Sequence, residues 1–282
     1  KNPNVIVVAG GPAIRALPKL SLKFFDEACL GDVEEMQTVI KKYFGAEYVS
    51  KNMIPRFDLT HSMGRLNYVE TSRNCNFSCS FCSIAGEGGS YLKYDLEFVR
   101  KQIMSLGKNS RVVFIDNNFY GNDRQYFIDR LELFKELRKD GYMGDWAALV
   151  TNDFFFRPEN LKLAKEAGCI FLFSGVESFN NEWLESINKK QNTKMSQVDM
   201  IRLCYENGIL FFYGYMFDLT SRPISELREE IEFMLSNPEI PMPSYFSVIV
   251  PILGTKFFYE SLEKKLILPN TKLRDLDSTT LS

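Results

Sequence analysis

The chain has 282 residues, 45% of them hydrophobic and 25% charged, with a net charge of −2. That length holds one large domain or two small ones, and the charge gives no overall basic excess to recruit nucleic acid. No apolar run approaches the roughly 18 residues of a membrane span, and the opening KNPNVIVVAGGP does not read as a secretory leader, so no membrane partner is expected.

The chain starts at Lys1 with a strand-like run by Val5, and it reads as a segment of a longer protein. VIVVAGGP is a strand running into a Gly-Gly-Pro turn, and a helix is expected from about Asp32 to Phe44. Residues 45–64 are irregular and read as a linker that contains His61, the chain's single histidine, expected at the surface. From there a strand–helix alternation recurs. Buried strands are expected at 66–71, 111–116, 146–151, 170–175, 210–217 and 245–250. Several are nearly continuous apolar runs, as parallel strands covered on both faces would be. Helical periodicity fills 94–106, 122–140, 158–167, 195–207, 223–235 and 255–265. Six such units imply right-handed crossovers and a parallel sheet. They suffice for an open or partial barrel and fall short of a complete eight-unit one. The fold class is therefore α/β.

Several residues carry only ordinary readings. Phe211, Phe212, Tyr213 and Tyr215 read as core, Trp146 and Trp183 carry no specific signal, and the lysine pairs at 41–42 and 189–190 read as solvated faces. Cys29, Cys169 and Cys204 stand singly in apolar surroundings, like reduced core cysteines. That usage fits a reducing cytoplasm better than a secreted disulfide framework.

The remaining cysteines, Cys75, Cys79 and Cys82, fall within eight residues just after the first barrel strand. Chemistry in such sheets lies at the carboxyl ends of the strands. A structural zinc site wants four ligands, usually as two pairs, and a disulfide would leave one thiol over. Thiolate-rich sites otherwise favour iron–sulfur clusters, and three thiolates on a four-iron cluster leave one iron open to a small molecule.

CNFSCSFC resembles the signature of the radical S-adenosylmethionine (SAM) superfamily, which has three cysteines at this spacing and an aromatic before the last, here Phe81. The resemblance implies a 4Fe–4S cluster on Cys75, Cys79 and Cys82, with SAM chelating the fourth iron and Phe81 near the adenine. Reduction would then cleave SAM to a 5′-deoxyadenosyl radical, with electrons from a donor such as flavodoxin or ferredoxin. FIDNNF (114–119) resembles the turn after the second strand in radical SAM enzymes fused to cobalamin-binding domains, which makes Asp116, Asn117 and Asn118 candidates for holding SAM. An Asx-rich loop or helix cap reads the same way. LAKEAGCIFLFSGVES (163–178) resembles the fourth helix–strand unit and would turn Glu177 and Ser178 toward SAM. PILGTKFFYESLEKKLIL (251–268) resembles the sixth strand-to-helix turn, with Val250, Ile252 and Leu253 flanking the adenine. Asp218, Leu219 and Thr220 stand where relatives show a Gly-rich turn.

Residues 1–44 resemble the end of the cobalamin-binding α/β domain of that subfamily, through VVAGGP, Pro18 and CLGDVEEM; a truncated Rossmann-like edge would look similar. The implied organisation is this fragment, a linker at 45–64 and a partial (β/α)6 barrel at 65–282. The implied activity is methyl transfer through cobalamin to a small-molecule or peptide substrate. A radical SAM enzyme without methyl transfer, such as one for oxidative cyclisation, rearrangement or C–S chemistry, remains open. So does a non-catalytic iron–sulfur or zinc module.

Overall fold

The apolar runs between residues 66 and 250 become the strands of one sheet. The computed structural model describes residues 5–50, 53–59 and 66–276, so His61 lies outside the described residues. In chain order the elements are β1 (Val8–Gly10), α1 (Pro12–Ala16), α2 (Pro18–Ser21), β2 (Glu27–Cys29), α3 (Met36–Phe44), β3 (Leu66–Val69), β4 (Ser72–Arg73), α4 (Ser83–Gly86), β5 (Leu92–Lys93), α5 (Leu96–Ser105), β6 (Ser110–Phe114), α6 (Arg124–Lys139), β7 (Met143–Val150), α7 (Glu159–Glu166), β8 (Cys169–Glu177), α8 (Asn181–Ser186), α9 (Gln197–Glu206), β9 (Leu210–Phe217), α10 (Ile224–Ser236), β10 (Tyr245–Val248) and α11 (Lys256–Glu263). Among the described residues no helix is long and apolar enough to cross a membrane.

These elements form two compact units, one from residues 55–80 and 89–249, the other from 1–54, 81–88 and 250–282. The first holds a six-stranded sheet in the order β3-β6-β7-β8-β9-β10. Every neighbouring pair is parallel, and spatial order follows chain order. The sheet stays open, with β3 and β10 at its edges, as a partial (β/α)6 barrel does. Helix α6 shows how the sequence builds the outer layer. Asp123 caps its start by accepting from the amides of Gln125 and Tyr126 at 3.0 and 3.1 Å. Phe127, Leu131, Phe134 and Leu137 recur at helical spacing and are buried. Each is worth roughly 1.5–3 kcal/mol of burial. Gly141, in the left-handed region at φ 74°, ends the helix. Phe134 stacks on Phe114 of β6 at 4.6 Å, and Trp146 packs edge-on to both rings.

Two expectations are corrected here. The strands are not sealed on both faces: along β8, Leu172, Ser174 and Val176 are buried while Phe171, Phe173 and Glu177 stay partly open. The inner face of an open barrel has no second helix layer to cover it. For the same reason Phe212 is 46% exposed, whereas Phe211, Tyr213 and Tyr215 are core.

In the second unit, β1 pairs with β2 in parallel, Val8 opposite Glu27. The helix expected from Asp32 opens instead as a 3-10 turn over Val33–Glu35, and α3 proper begins at Met36. Asp32 does not cap it, because its carboxylate lies 2.6 Å from Arg15 Nη2. Without a side-chain cap the first turn tightens.

Candidate functional site

The cysteine loop leaves the sheet through a short hairpin. Beyond β3 the chain forms β4, which pairs antiparallel with β5 through Ser72–Lys93 and Arg73–Leu92. Asn74 then adopts a left-handed φ of 62°, and its amide donates to the Ser90 carbonyl at 2.9 Å. Cys75 is half-buried and Cys79 buried. Distant residues hold the loop between them. Asn118 Nδ2 donates to Asn76 Oδ1 at 2.7 Å, and Asn188 Nδ2 donates to the Ser78 carbonyl at 2.7 Å. The Ser80 amide and hydroxyl both donate to the Ile187 carbonyl, at 3.0 and 3.1 Å.

The three residues after β6 have different roles. Asn117 is exposed, while Asn118 is buried behind the cysteine loop. Asp116 is fully buried and its carboxylate is engaged inside the protein. It accepts from the Thr71 amide and the Ser72 hydroxyl, both at 2.7 Å, and from the Thr71 hydroxyl, and Arg130 Nη1 lies 3.1 Å away. Burial pushes the Asp116 carboxyl up, while Arg130, Thr71 and Ser72 pull it back. Asp116 therefore ties the end of β3 to β4, immediately before the cysteines.

Glu177 and Ser178 end β8. Glu177 sits at φ 65° and pairs with Lys189 Nζ at 2.7 Å. Gly175 makes room for this pair: a Cβ there would stand 2.2 Å from Glu177 Oε1 and 2.9 Å from Lys189 Nζ. Lys189 is 7% exposed, which corrects its reading as part of a solvated face; only Lys190 of that pair is exposed. Ser178 is buried and donates to Glu230 Oε1 at 2.7 Å. Glu230 also accepts from Arg222 Nη2 at 2.8 Å and from the Tyr215 hydroxyl. A cleft of about 310 Å³ lies against this cluster, lined by Phe179, Arg222, Glu230 and Phe233 among others, and it contains none of the residues singled out from the sequence. Where a Gly-rich turn was not found, Asp218 closes β9 by accepting from the amides of Thr220 and Ser221 at 2.9 and 3.0 Å.

Phe81, Cys82, Val250, Ile252 and Leu253 belong to the other unit. Cys82 is a free, half-buried thiol at the start of α4. Phe81 is half-buried, as are Ile252 and Leu253, and Val250 is buried. Gly86 at the end of α4 passes close to Gly254: a Cβ at Gly86 would lie 2.9 Å from the Gly254 carbonyl oxygen. Glu87 pairs with Arg15. The segment after Cys82 is thus packed on the turn that carries Ile252 and Leu253. Among the described residues, no three His, Cys, Asp or Glu side chains are gathered as a metal-binding set. What fits an iron–sulfur cluster is the donor chemistry, three cysteine sulfurs within eight residues.

Sequence reasoning missed Arg130, Glu230, Asn188, Lys189 and Gln191. Lys189 and Gln191 sit in a polar run, NKKQN, whose hydrogen-bond partners are remote in sequence; no local periodicity marks such residues.

A parallel partial barrel with a three-cysteine loop beyond its first strand defines a class of iron–sulfur proteins. The radical SAM superfamily model matches residues 69–231, and the chain belongs to that superfamily. It is 28% identical over 211 residues to bacteriochlorophyllide d C-8(2)-methyltransferase of Chlorobaculum tepidum, covering 71% of this chain and 45% of that protein. It is 28% identical over 196 residues to the hopanoid C-2 methylase of Rhodopseudomonas palustris, covering 67% and 37%. The chain thus spans less than half the length of these two relatives. Among solved structures, the radical SAM methyltransferase TsrM of Kitasatospora setae, with cobalamin and a 4Fe–4S cluster bound, superposes with a TM-score of 0.71 at 18% identity. That match covers 92% of this chain and 60% of TsrM.

Proposed function

We propose that the chain is part of a cobalamin-dependent radical SAM methyltransferase, with Cys75, Cys79 and Cys82 holding a 4Fe–4S cluster and SAM completing its coordination. The observation that carries this reading is the loop of three cysteines beyond the first strand of a barrel matched to the radical SAM superfamily. The methylating activities named for the two relatives support methyl transfer over the other radical SAM chemistries. When bound, the cofactors supply reductive SAM cleavage and a methyl group carried on cobalamin.

The chain's residues bind, orient and shield. Asn118 and Asn188 hold the cysteine loop from either side. Phe81, Asn117, Glu177, Val250, Ile252 and Leu253 are assigned to contacts with SAM. Asp116 and Ser178 act from behind, by fixing the ends of β3 and β8. The half-buried aromatics of the inner sheet face exclude water from a reactive site. Residues 1–44 are assigned as the end of a cobalamin-binding domain, 45–64 as the linker and 65–282 as the barrel. A low-potential donor such as flavodoxin or ferredoxin and a small-molecule or peptide substrate complete the proposal. Oxygen-sensitive thiolate chemistry of this kind suits the cytoplasm.

Anaerobic reconstitution with iron and sulfide, followed by SAM and dithionite, tests it. The chain is expected to form 5′-deoxyadenosine, and Cys79→Ala is expected to form none. In the full-length protein, with added cobalamin and methyl-labelled SAM, label is expected on cobalamin. Nucleoside no higher than in the Cys79→Ala control would sink the radical reading. Cleavage without cobalamin labelling in the full-length protein would leave a non-methylating radical SAM enzyme.

A further inference from the structure

Gln191 has no role in the chemistry described above, yet it is 5% exposed and its side-chain nitrogen Nε2 lies 3.6 Å from Cys79 Sγ, positioned to donate to it. The contact is built from both sides. Before Gln191, Ile187 and Asn188 bond the cysteine loop at Ser80 and Ser78. After it, Asn192 Nδ2 donates to the carbonyls of Gly175 and Val176 at 2.8 and 3.0 Å. Gln197 Nε2 donates to the Asn192 carbonyl at 2.7 Å, and Gln197 Oε1 accepts from Asn152 Nδ2 at 2.7 Å. Ser174 of β8 donates to Asn152 Oδ1 at 2.8 Å. This buried chain of amides anchors Gln191 to the carboxyl end of β8 and aims its N–H at the sulfur.

We propose that Gln191 is a positioning residue that sets the reduction potential of the cluster, an inference that rests on Cys79 being a cluster ligand. One-electron reduction adds negative charge that spreads onto the ligand sulfurs. A donor aimed at one of them stabilises the reduced cluster more than the oxidised one and raises the potential. Cys79 is buried, so little water competes with the amide. Its neighbours Asn188 and Asn192 bond backbone carbonyls, and their substitution would act through loop position alone.

The test uses the reconstituted chain without SAM, titrated with dithionite, the electron donor, and followed by electron paramagnetic resonance of the reduced cluster. Gln191→Met keeps the length and removes the donor; Gln191→Leu removes it with a branched apolar side chain. Both are expected to assemble iron and sulfide like the unsubstituted chain. The Met variant is expected to be harder to reduce by a factor of roughly three to ten, about 28–59 mV more negative for a one-electron couple, and the Leu variant by a similar amount. Unchanged potentials in both variants overturn the proposal. So does a folded variant that loses its iron, because Gln191 would then hold the loop rather than tune it. Failure of the unsubstituted chain to assemble a cluster overturns the cysteine-ligand reading itself, which separates the two failures.

Discussion

Asp116 and Arg130 are both wholly buried, 3.1 Å apart, and the pair fixes the residues that lead into the cysteines. Removing one partner of such a pair strands the other's charge in a medium that solvates it poorly. Arg130→Met is therefore expected to cost about 3–5 kcal/mol in urea unfolding; a loss below about 1 kcal/mol would contradict the role assigned to the pair. Asp153 works in the opposite direction. Burial pushes its carboxyl up to about 6, against a hydrogen bond from Thr151. Between about pH 4 and that value the folded chain binds this proton more tightly than the unfolded chain, so its contribution to stability falls as pH rises. Asp153→Asn is expected to match the unsubstituted chain near pH 4 and to exceed it above pH 6, by about 2–3 kcal/mol. Equal melting temperatures across that range would refute this. Neither effect was legible beforehand. Asp116 could be picked out in FIDNNF, but its partner Arg130 lies on α6, where an arginine looks like any other solvated residue.

At the scale of elements, β8 carries the most consequence. Its end brings together the left-handed Glu177, the Lys189 pair and the Ser178–Glu230–Arg222 cluster. Gly175→Ala is compatible with the fold, since a Cβ there meets only the flexible ends of Glu177 and Lys189. It is expected to displace that ion pair, leaving the melting temperature nearly unchanged and lowering SAM cleavage about tenfold, the equivalent of ~1.4 kcal/mol. Cleavage at the unsubstituted rate would remove Glu177 from the SAM site. The six barrel strands and their helices were readable because apolar runs and helical periodicity are local signals, and the boundaries of β9 agree to the residue with the expected 210–217. The β4–β5 hairpin and α4 were not readable. They are two and four residues long, and contacts rather than periodicity hold them.

Across the whole molecule, the six cysteines divide by environment. Burial pushes the Cys169 thiol up to about 12 and raises Cys204 as well. Cys75 and Cys82 are half-buried. Under native anaerobic conditions at pH 8, iodoacetamide is expected to label Cys75 and Cys82 in the cluster-free chain, spare Cys169 and Cys204, and label neither group once iron and sulfide are loaded. Mass spectrometry of the tryptic peptides reads this directly, and early labelling of Cys169 would contradict its assignment to the core. The clamp on the cysteine loop also has a consequence for biosynthesis. Its hydrogen bonds join Ser78, Cys79 and Ser80 to Asn188, Gln191 and Ile187, separations of 110, 112 and 107 residues. At about 5–20 residues per second, a ribosome needs roughly 6–22 s to make that intervening stretch. For that interval the nascent chain presents its cysteines without the segment that closes around them.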